Sequence, residues 1–573
     1  MPEPSPRPTE VRLTVNRPPV VSLGPRSVER PTDGGSTLIG LYDDRAPASV
    51  DRGGLVRRPG EAWSLDWWIG AEDRWYFPAR EATLRQRRLG AGPVVETALR
   101  IPGGDAINRC YGALVAGKPV TVIEVENASP TAVTLAMAVR PYGPVVDAGD
   151  FGTAVEAVPW QIDNHCLVRS GRVIVWLPRP ASDSSVSTDD PLTVLQSGQG
   201  LGGLAEGGGV SGMTSGFGRY AALVFPLTHQ ATIRFLLPAS AAGGSGGIPL
   251  EPSRAPDHEA VSRGWNAVVD KGGRFVLPDN GLSDRALAAR ARLHLSRAPF
   301  EPLPEQPNAD AAVLLLASAA SGADQAVANT LGQFAETFPR AASAAAGSSL
   351  AYAIGWSAAA LDDRVLAGRV LEPLAQLVAL VERDRDSRAG GRRAGALRGL
   401  AWACRAAGRP DDVVRLVADA DALSPSLSSW GETVATLASV ERMAEGAGGS
   451  GSFGADDVLS AARFWLEVRN LMLNEVDAST LELLPNFATA WRGGNVEVHQ
   501  ARSPLGVLDF AIRWHGYRPA LLWDFRSHGT APVELRCSAL DPTWSTTEAK
   551  GEVLLAGAAE PLPAAPDPGE SFA

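Results

Sequence analysis

Cysteine is scarce in this chain. Cys110, Cys166, Cys404 and Cys537 are scattered through 573 residues with no CxxC pair. That argues against a disulfide framework and for free thiols in a reducing compartment. No apolar run approaches the roughly 18 residues a membrane span needs. The opening segment MPEPSPRPTE has neither the charged n-region nor the apolar h-region of a signal peptide. Basic charge is also short: 53 Lys and Arg stand against 64 Asp and Glu, for a net charge of −11 and a pI of about 5.3. That balance argues against nucleic acid and gives no reason to expect anionic lipid. Among seven His no HxxH or HExxH spacing appears, so no metal is expected. There is no GxSxG elbow for Ser-His-Asp catalysis. GGLAEGGG lacks the GK-Ser/Thr ending of a phosphate loop, and no cofactor is expected. These exclusions leave a cytoplasmic protein.

What the chain has in quantity is Gly (60), Pro (44) and Trp (15, against 7 Tyr). Its apolar pattern changes period at Ala461–Trp514. Leu459, Leu466 and Leu473 fall seven apart on one helical stripe. After Leu484-Pro485 the pattern alternates as strands do, with Val507, Asp509, Ala511 and Arg513 facing one way and Leu508, Phe510 and Ile512 the other. A helical layer hands over to a β layer here.

Upstream, residues 11–250 read as short strands separated by turn residues, enough of them for a large β-sandwich. VTVIEV and AVTLAMAVRP, joined by ENASPT, read as a hairpin. Gly198–Gly218 and Ala241–Gly247 read as loops. Residues 255–300 form a helical connector whose second helix, over 279–296, takes Ser283 or Asp284 as its cap. Residues 301–480 are Ala/Leu-rich, with helices expected at 308–320, 323–337, 347–361, 363–383, 393–407, 410–420, 428–445 and 455–474. Asp324, Asp362, Asp363, Asp411, Asp412, Asp456 and Asp457 stand at helix starts, as capping and dipole compensation require. Pro373 predicts a kink or early break in the fourth helix. Residues 481–560 read as a small antiparallel β domain, followed by a polar, Pro-rich tail.

Several segments resemble those of the six-hairpin glycosidases, the glucoamylase, trehalase and glycogen-debranching group. GSSLAYAIGWSAAALDDRVLAGRVLEPLAQLVALVERDR is similar to their "QALWAL" helical hairpin, and SSWGETV to their "TWPEAV" segment. FWLEVRNLMLNEVDASTLELLPNFATAWRGGNVEVHQARSPLGVLDFAIRW resembles their final barrel helix running into its β strands. GRFVLPDNGLSDRALAARARLHL resembles the helices that lead into such barrels. The resemblance spans roughly residues 255–530. It implies an (α/α)6-toroid-like helical domain flanked by β domains, with a saccharide pocket at one end and an intracellular saccharide, such as an α-glucan, as ligand.

The chemistry of that family needs two carboxylates across the glycosidic bond. Here the resemblance leaves Glu432, in Trp430-Gly431-Glu432, and Asp310, in PNADAAVLLLASAA, as catalytic candidates. The Trp and Arg that accompany the family's Asp are missing beside Asp310. The family's Glu-bearing segment reads AASAAAGSS, and its acidic aromatic loop reads RDRDSRAGGRRAGALRG. A hydrolase-like protein and an inactive relative that binds saccharide or protein both fit. Trp430 and Trp356 are candidate sugar contacts. So are Trp68 and Trp75 in WSLDWWIGAEDRWYFPAREATLR, where the aromatics fit either an alternating core or an aromatic wall against sugar hydroxyls.

Overall fold

The computed structural model describes residues 36–42, 44, 46–140, 157–196, 214–239, 249–295, 309–336, 344–383, 389–423 and 458–556. The N-terminal part holds two antiparallel sheets, of eight and nine strands. Alternation buries one face of each: Trp67, Leu135, Met137 and Phe225 from the first meet Leu99, Cys110, Ile123 and Phe235 from the second in one core. The strands Lys118–Asn127 and Val133–Arg140 do not form the expected hairpin. They lie in different sheets. The turn between them carries the chain across the core, and Asn127 holds that corner. Its Nδ2 donates to the Thr131 carbonyl at 2.7 Å, and its Oδ1 accepts from the Ser129 N–H at 3.1 Å.

Helix α1 (Pro191–Gln196) covers the outer face of the first sheet. Helix α2 (His258–Val269) docks on the second. Asp257 caps α2 by accepting the Ala260 N–H at 2.7 Å. Val261 packs on the outer apolar cluster of that sheet, and charge adds to the docking. The buried Glu124 takes Arg234 at 2.8 Å, His258 of α2 at 2.8 Å and Arg109 at 3.3 Å. Burial pushes the Glu124 carboxyl up, but these cations prevail and hold it below the usual carboxylate range.

Next come α3 (Asn280–Leu295), α4 (Ala309–Ser321), α5 (Asp324–Glu336), α6 (Ala344–Ala360), α7 (Arg364–Glu382), α8 (Ala389–Ala406), α9 (Pro410–Leu423) and α10 (Val458–Met472). Asp279, not Ser283 or Asp284, caps α3, accepting the Leu282 N–H at 3.0 Å. The helix starts a residue later than the cap, and Ser283 Oγ is occupied with the Leu277 N–H. Asp363 caps α7 as expected. Helix α7 runs through Pro373 without ending. Val370, Leu374, Leu377 and Val381 bury one stripe on both sides of the proline, and that packing holds the two halves together. The helix expected at 428–445 lies outside the described residues.

The helices form two layers. Helices α10, α4, α6 and α8 neighbour one another in that order, with α3, α5, α7 and α9 outside them. The inner four run parallel. Asp310 in the first turn of α4 pairs with Arg463 in the first half of α10. Ser348 and Arg392 meet near the starts of α6 and α8, and Gly355 faces Gly399 further on. A Cβ on Gly355 would fall 1.7 Å from the Gly399 carbonyl oxygen, so the two backbones touch there and only glycine fits. Among the described residues the middle of the chain has nine helices, short of the six full hairpins of a complete toroid.

The C-terminal part is a five-stranded and a four-stranded sheet. It is not purely antiparallel, because Thr480–Leu483 pairs with Glu534–Cys537 in parallel. Nor is it built only from the C-terminus: Arg274–Val276 of the connector is an edge strand of the larger sheet. Its core is continuous with that of the helices.

Arg469 joins these parts. It is fully buried on the apolar stripe of α10, pairs bidentately with the buried Glu475, and donates to the Leu473 and Arg502 carbonyls at 3.1 and 3.0 Å. Removing one partner strands a buried charge. Glu475→Gln is therefore expected to cost about 3–5 kcal/mol of stability in urea unfolding. Exchanging both residues for apolar ones of similar volume is expected to cost much less.

A second prediction concerns Asp51, whose Oδ1 accepts the Gly53 and Leu55 N–H groups at 2.8 and 2.9 Å. Burial, and then the neighbouring Asp66, push its carboxyl up from 3.8 to about 6. The folded state therefore holds this proton more tightly than the unfolded chain. The resulting stability is complete below pH 3.8 and lost as pH rises through about 6. Asp51→Asn keeps the acceptor oxygen. Calorimetry should find its Tm equal to the parent near the lower bound and higher above the upper one, by up to about 3 kcal/mol of stability at neutral pH.

Candidate functional site

Parallel inner helices give the helical layer two unlike ends. At the C-terminal end the chain turns back at once, between α4 and α5, α6 and α7, and α8 and α9. The orphan carbonyls there meet donors. Arg290 Nε and His294 Nε2 both reach the Ser321 carbonyl at 3.0 Å. His528 Nδ1 meets the Ala359 carbonyl at 3.2 Å. Burial, then Arg290, push His294 down to about 3, so it is neutral and donates from Nε2. Burial pushes Arg290 down to about 9, which leaves it charged at neutral pH. This end also carries the C-terminal sheets: Arg502 of strand Val496–Ser503 pairs with Asp324 at the start of α5 through both its carboxylate oxygens.

The opposite end collects the N-termini of α4, α6, α8 and α10. Segments 296–308, 337–343, 384–388 and 424–457, which lead into these helices, lie outside the described residues. Glu432 and Trp430 belong to the last of them. Four parallel dipoles present their positive ends here, which favours anions and carboxylates. Asp310 stands at this end, 3.0 Å from Arg463, its side chain 36% exposed and that of Arg463 14%.

The other residues singled out from the sequence stand elsewhere. Trp356 lies in the C-terminal half of α6, fully buried, 5.5 Å beneath the Arg469 guanidinium. It is thus at the far end of the helical layer from Asp310. Trp68 and Trp75 lie together on the outer face of the first N-terminal sheet. Trp68 is fully buried against Phe77, Leu192 and Leu195, with Trp75 half-buried beside it. Of the four that lie among the described residues, Asp310, Trp356, Trp68 and Trp75, the structure brings together Trp68 and Trp75.

Three fully buried arginines on helices escaped the sequence reading: Arg290, Arg398 and Arg469. A signal existed. Each interrupts the apolar stripe of its helix, as Arg469 does between Trp465, Leu466 and Met472, and a charge on a buried stripe needs designated partners. The cysteines offer no nucleophile. All four are buried, and burial pushes the Cys404 thiol up to about 11 and Cys166 and Cys537 to about 12. No group of three or more His, Cys, Asp or Glu side chains able to hold a metal occurs among the described residues. No helix among them is long and apolar enough to cross a membrane.

No family model matches the chain, and no curated protein matches it in sequence. Solved structures are distantly similar. A bacterial glucoamylase complexed with acarbose shares 8% identity at a TM-score of 0.40, over 71% of this chain and 69% of that one. The family GH92 α-mannosidase of Bacteroides thetaiotaomicron shares 9% at a TM-score of 0.26, over 68% of this chain and 63% of that one.

The Asp310–Arg463 contact is open to measurement. A double-mutant cycle with Asp310→Asn and Arg463→Met, read by denaturant unfolding, should return a coupling of about 0.5–1 kcal/mol, the range of partly exposed ion pairs. A coupling near zero would mean that the pair does not hold α4 to α10.

Proposed function

We propose that this chain is a glycoside hydrolase-like, carbohydrate-active protein that takes a saccharide at the N-terminal end of its inner helices. The observation that carries this reading is the parallel run of α10, α4, α6 and α8, which sets Asp310 and Arg463 at the one end not occupied by the C-terminal sheets. The sequence supports it: the stretches that resemble six-hairpin glycosidases follow one another in that family's order across residues 255–530. Under this reading Glu432 is the general acid and Asp310 the base, with Trp430 beside the sugar. The acid must be held protonated by its surroundings while the base stays ionised.

One observation favours a second reading, a saccharide-binding protein without turnover. Asp310 is already engaged by Arg463, and a carboxylate so held is less free to activate water than to fix a ligand. One experiment separates the two. The full chain is titrated calorimetrically with gluco- and mannosaccharides, and released sugar is assayed in the same samples. Hydrolysis predicts turnover that falls at least about a hundredfold in Glu432→Gln and in Asp310→Asn. Binding alone predicts measurable heats, weakened in Asp310→Asn, with no product. If no saccharide binds, both readings fail.

A further inference from the structure

The nine-stranded sheet is split beside strand Thr232–Pro238. On one side that strand pairs with Lys118–Asn127 along its whole length. On the other it pairs with Arg172–Trp176 at a single position, Leu236 opposite Trp176. Proline stops this second ladder in both directions. One way, the next partners of Arg234 and Thr232 would be Pro178 and Pro180. The other way, Pro238 would face Ile174, and proline has no N–H to give. Past Leu177 the chain leaves for the first sheet, where Arg179 donates to the Pro226 carbonyl and the Ser182 N–H to the Val224 carbonyl at 2.8 Å. A cavity of about 700 Å³ opens in the split, between residues 177–179 and 231–234, with residues 249–253 along its side.

The register aims backbone groups into this cavity. The Asn127 N–H donates to the Ala231 carbonyl and the Ala239 N–H to the Pro119 carbonyl, both at 3.0 Å, so the odd-numbered residues of the strand bond to Lys118–Asn127. The N–H and C=O groups of Thr232 and Arg234 therefore point the other way, and they meet no partner among the described residues. Such an open row is a template for another strand. A pattern of charge ends at the same place. Arg87, Glu96, Arg109, Glu124 and Arg234 stand directly opposite one another on successive strands, alternating in sign. Neighbours in the row are bonded throughout, at 2.7, 2.8, 3.3 and 2.8 Å. Arg234 ends the row at the gap, with its Nε on Glu124 and its side chain 28% exposed. Two more acids stand near, and both are engaged. Glu251 in the cavity wall gives its two carboxylate oxygens to Arg254 at 2.7 and 3.4 Å, and Asp257 caps α2.

We infer that the split takes a short β strand of another polypeptide, an extended segment that alternates apolar and polar residues and sets an acid opposite Arg234. Main-chain hydrogen bonds to the N–H and C=O groups of Thr232 and Arg234 hold it, as in β-strand addition. Its two faces meet unlike walls. Leu177, Leu227 and Ile233 belong to the core between the two sheets and take its apolar side chains. Thr232, Arg234 and Trp176 form the outer wall. There an acid extends the alternation of charge by one more strand, whereas a basic residue would set like charge against Arg234. The cavity lies within the range of ligand pockets, about 300–1,000 Å³, which suits a few residues of extended chain and not a folded domain.

The test is calorimetric titration of the full chain with the peptide acetyl-Thr-Val-Glu-Val-Thr-amide, with hydrogen exchange followed at Thr232 and Arg234. One control peptide carries Lys in place of Glu, and another is N-methylated at Glu, which removes a ladder N–H and keeps the charge. Thr232→Pro removes an N–H that no described group uses, at the first residue of its strand, where proline is tolerated. Arg234→Gln removes the charge at the gap. Circular dichroism and Tm check that both variants fold, and the control peptides need no variant. The two N–H groups are expected to exchange fast in the free chain and to slow when the peptide binds. Affinity is expected to fall at least about tenfold for either control peptide and in either variant. Slow exchange at both positions before any peptide is added means that another segment of this chain fills the split, and overturns the proposal. So does a failure of the Glu peptide to bind, or equal binding of the N-methylated one. Equal binding of the Lys peptide overturns the acid. No saccharide enters these measurements, so they leave the function proposed above untouched.

Discussion

Helices that run parallel gather their unsatisfied carbonyls at one end, and the rest of this structure depends on how that end is met. Arg290 and His294 reach the last turn of α4, His528 reaches the last turn of α6, and Arg469 reaches the carbonyl just past α10. None of these donors is local to the helix it completes, apart from Arg469. They come from α3 and from the C-terminal sheets, so completing the helices fixes the position of the next layer. Arg469 does most. Paired with Glu475 and bonded to the Arg502 carbonyl, it makes α10, the short strand after it and strand Val496–Ser503 a single unit. Burying a guanidinium costs several kcal/mol unless every donor is placed. The arrangement therefore confers geometric specificity more than net stability.

That asymmetry makes the two ends of the helical layer unlike. One end is closed by arginines, histidines and the C-terminal sheets, and the chain turns back there within two or three residues. All longer connections enter at the other end, where Asp310 and Arg463 stand. Connecting segments are where binding and catalytic residues concentrate in proteins generally. Trp356, under Arg469 at the closed end, belongs with the packing.

Much of this order was legible in the residues. The change of period shows that a helix gives way to strands, but it places the handover late: the helix ends at Met472, and the short strands Leu473–Glu475 and Thr480–Leu483 already precede Leu484, too short to show an alternation of their own. The inner and outer helices fall close to where apolar stripes and Asp caps place them. The ENASPT turn misled for a physical reason. Turn formers report that the chain reverses, not whether the next strand pairs with the last or crosses to a facing sheet. Only Asn127, which bonds the turn and the Leu227 and Thr228 carbonyls together, distinguishes the two. The α3 cap was misplaced because Asp279, Ser283 and Asp284 are all competent and their choice depends on what else each one touches. Asp284, freed from capping, lies half-buried, with burial raising its carboxyl and the nearby Arg88 lowering it.

The junction between the N-terminal sheets and the helices shows why a cavity persists there. Apolar surfaces close on each other because every void loses dispersion and hydration free energy. This junction adds polar contacts to its apolar ones: His258 of α2 on Glu124, and Asn266 bonded to Ala91, beside Val261 on the outer apolar cluster of the second sheet. Such contacts fix distance and orientation without demanding contact everywhere. α2 is thereby held against the second sheet while its C-terminal end, with Asn266 and Asp270, stands across an open space from Asp284 and Arg290. A partly polar joint thus leaves a gap that an apolar one would have filled, bordered by Asn266, Asp270, Arg274 and Asp284.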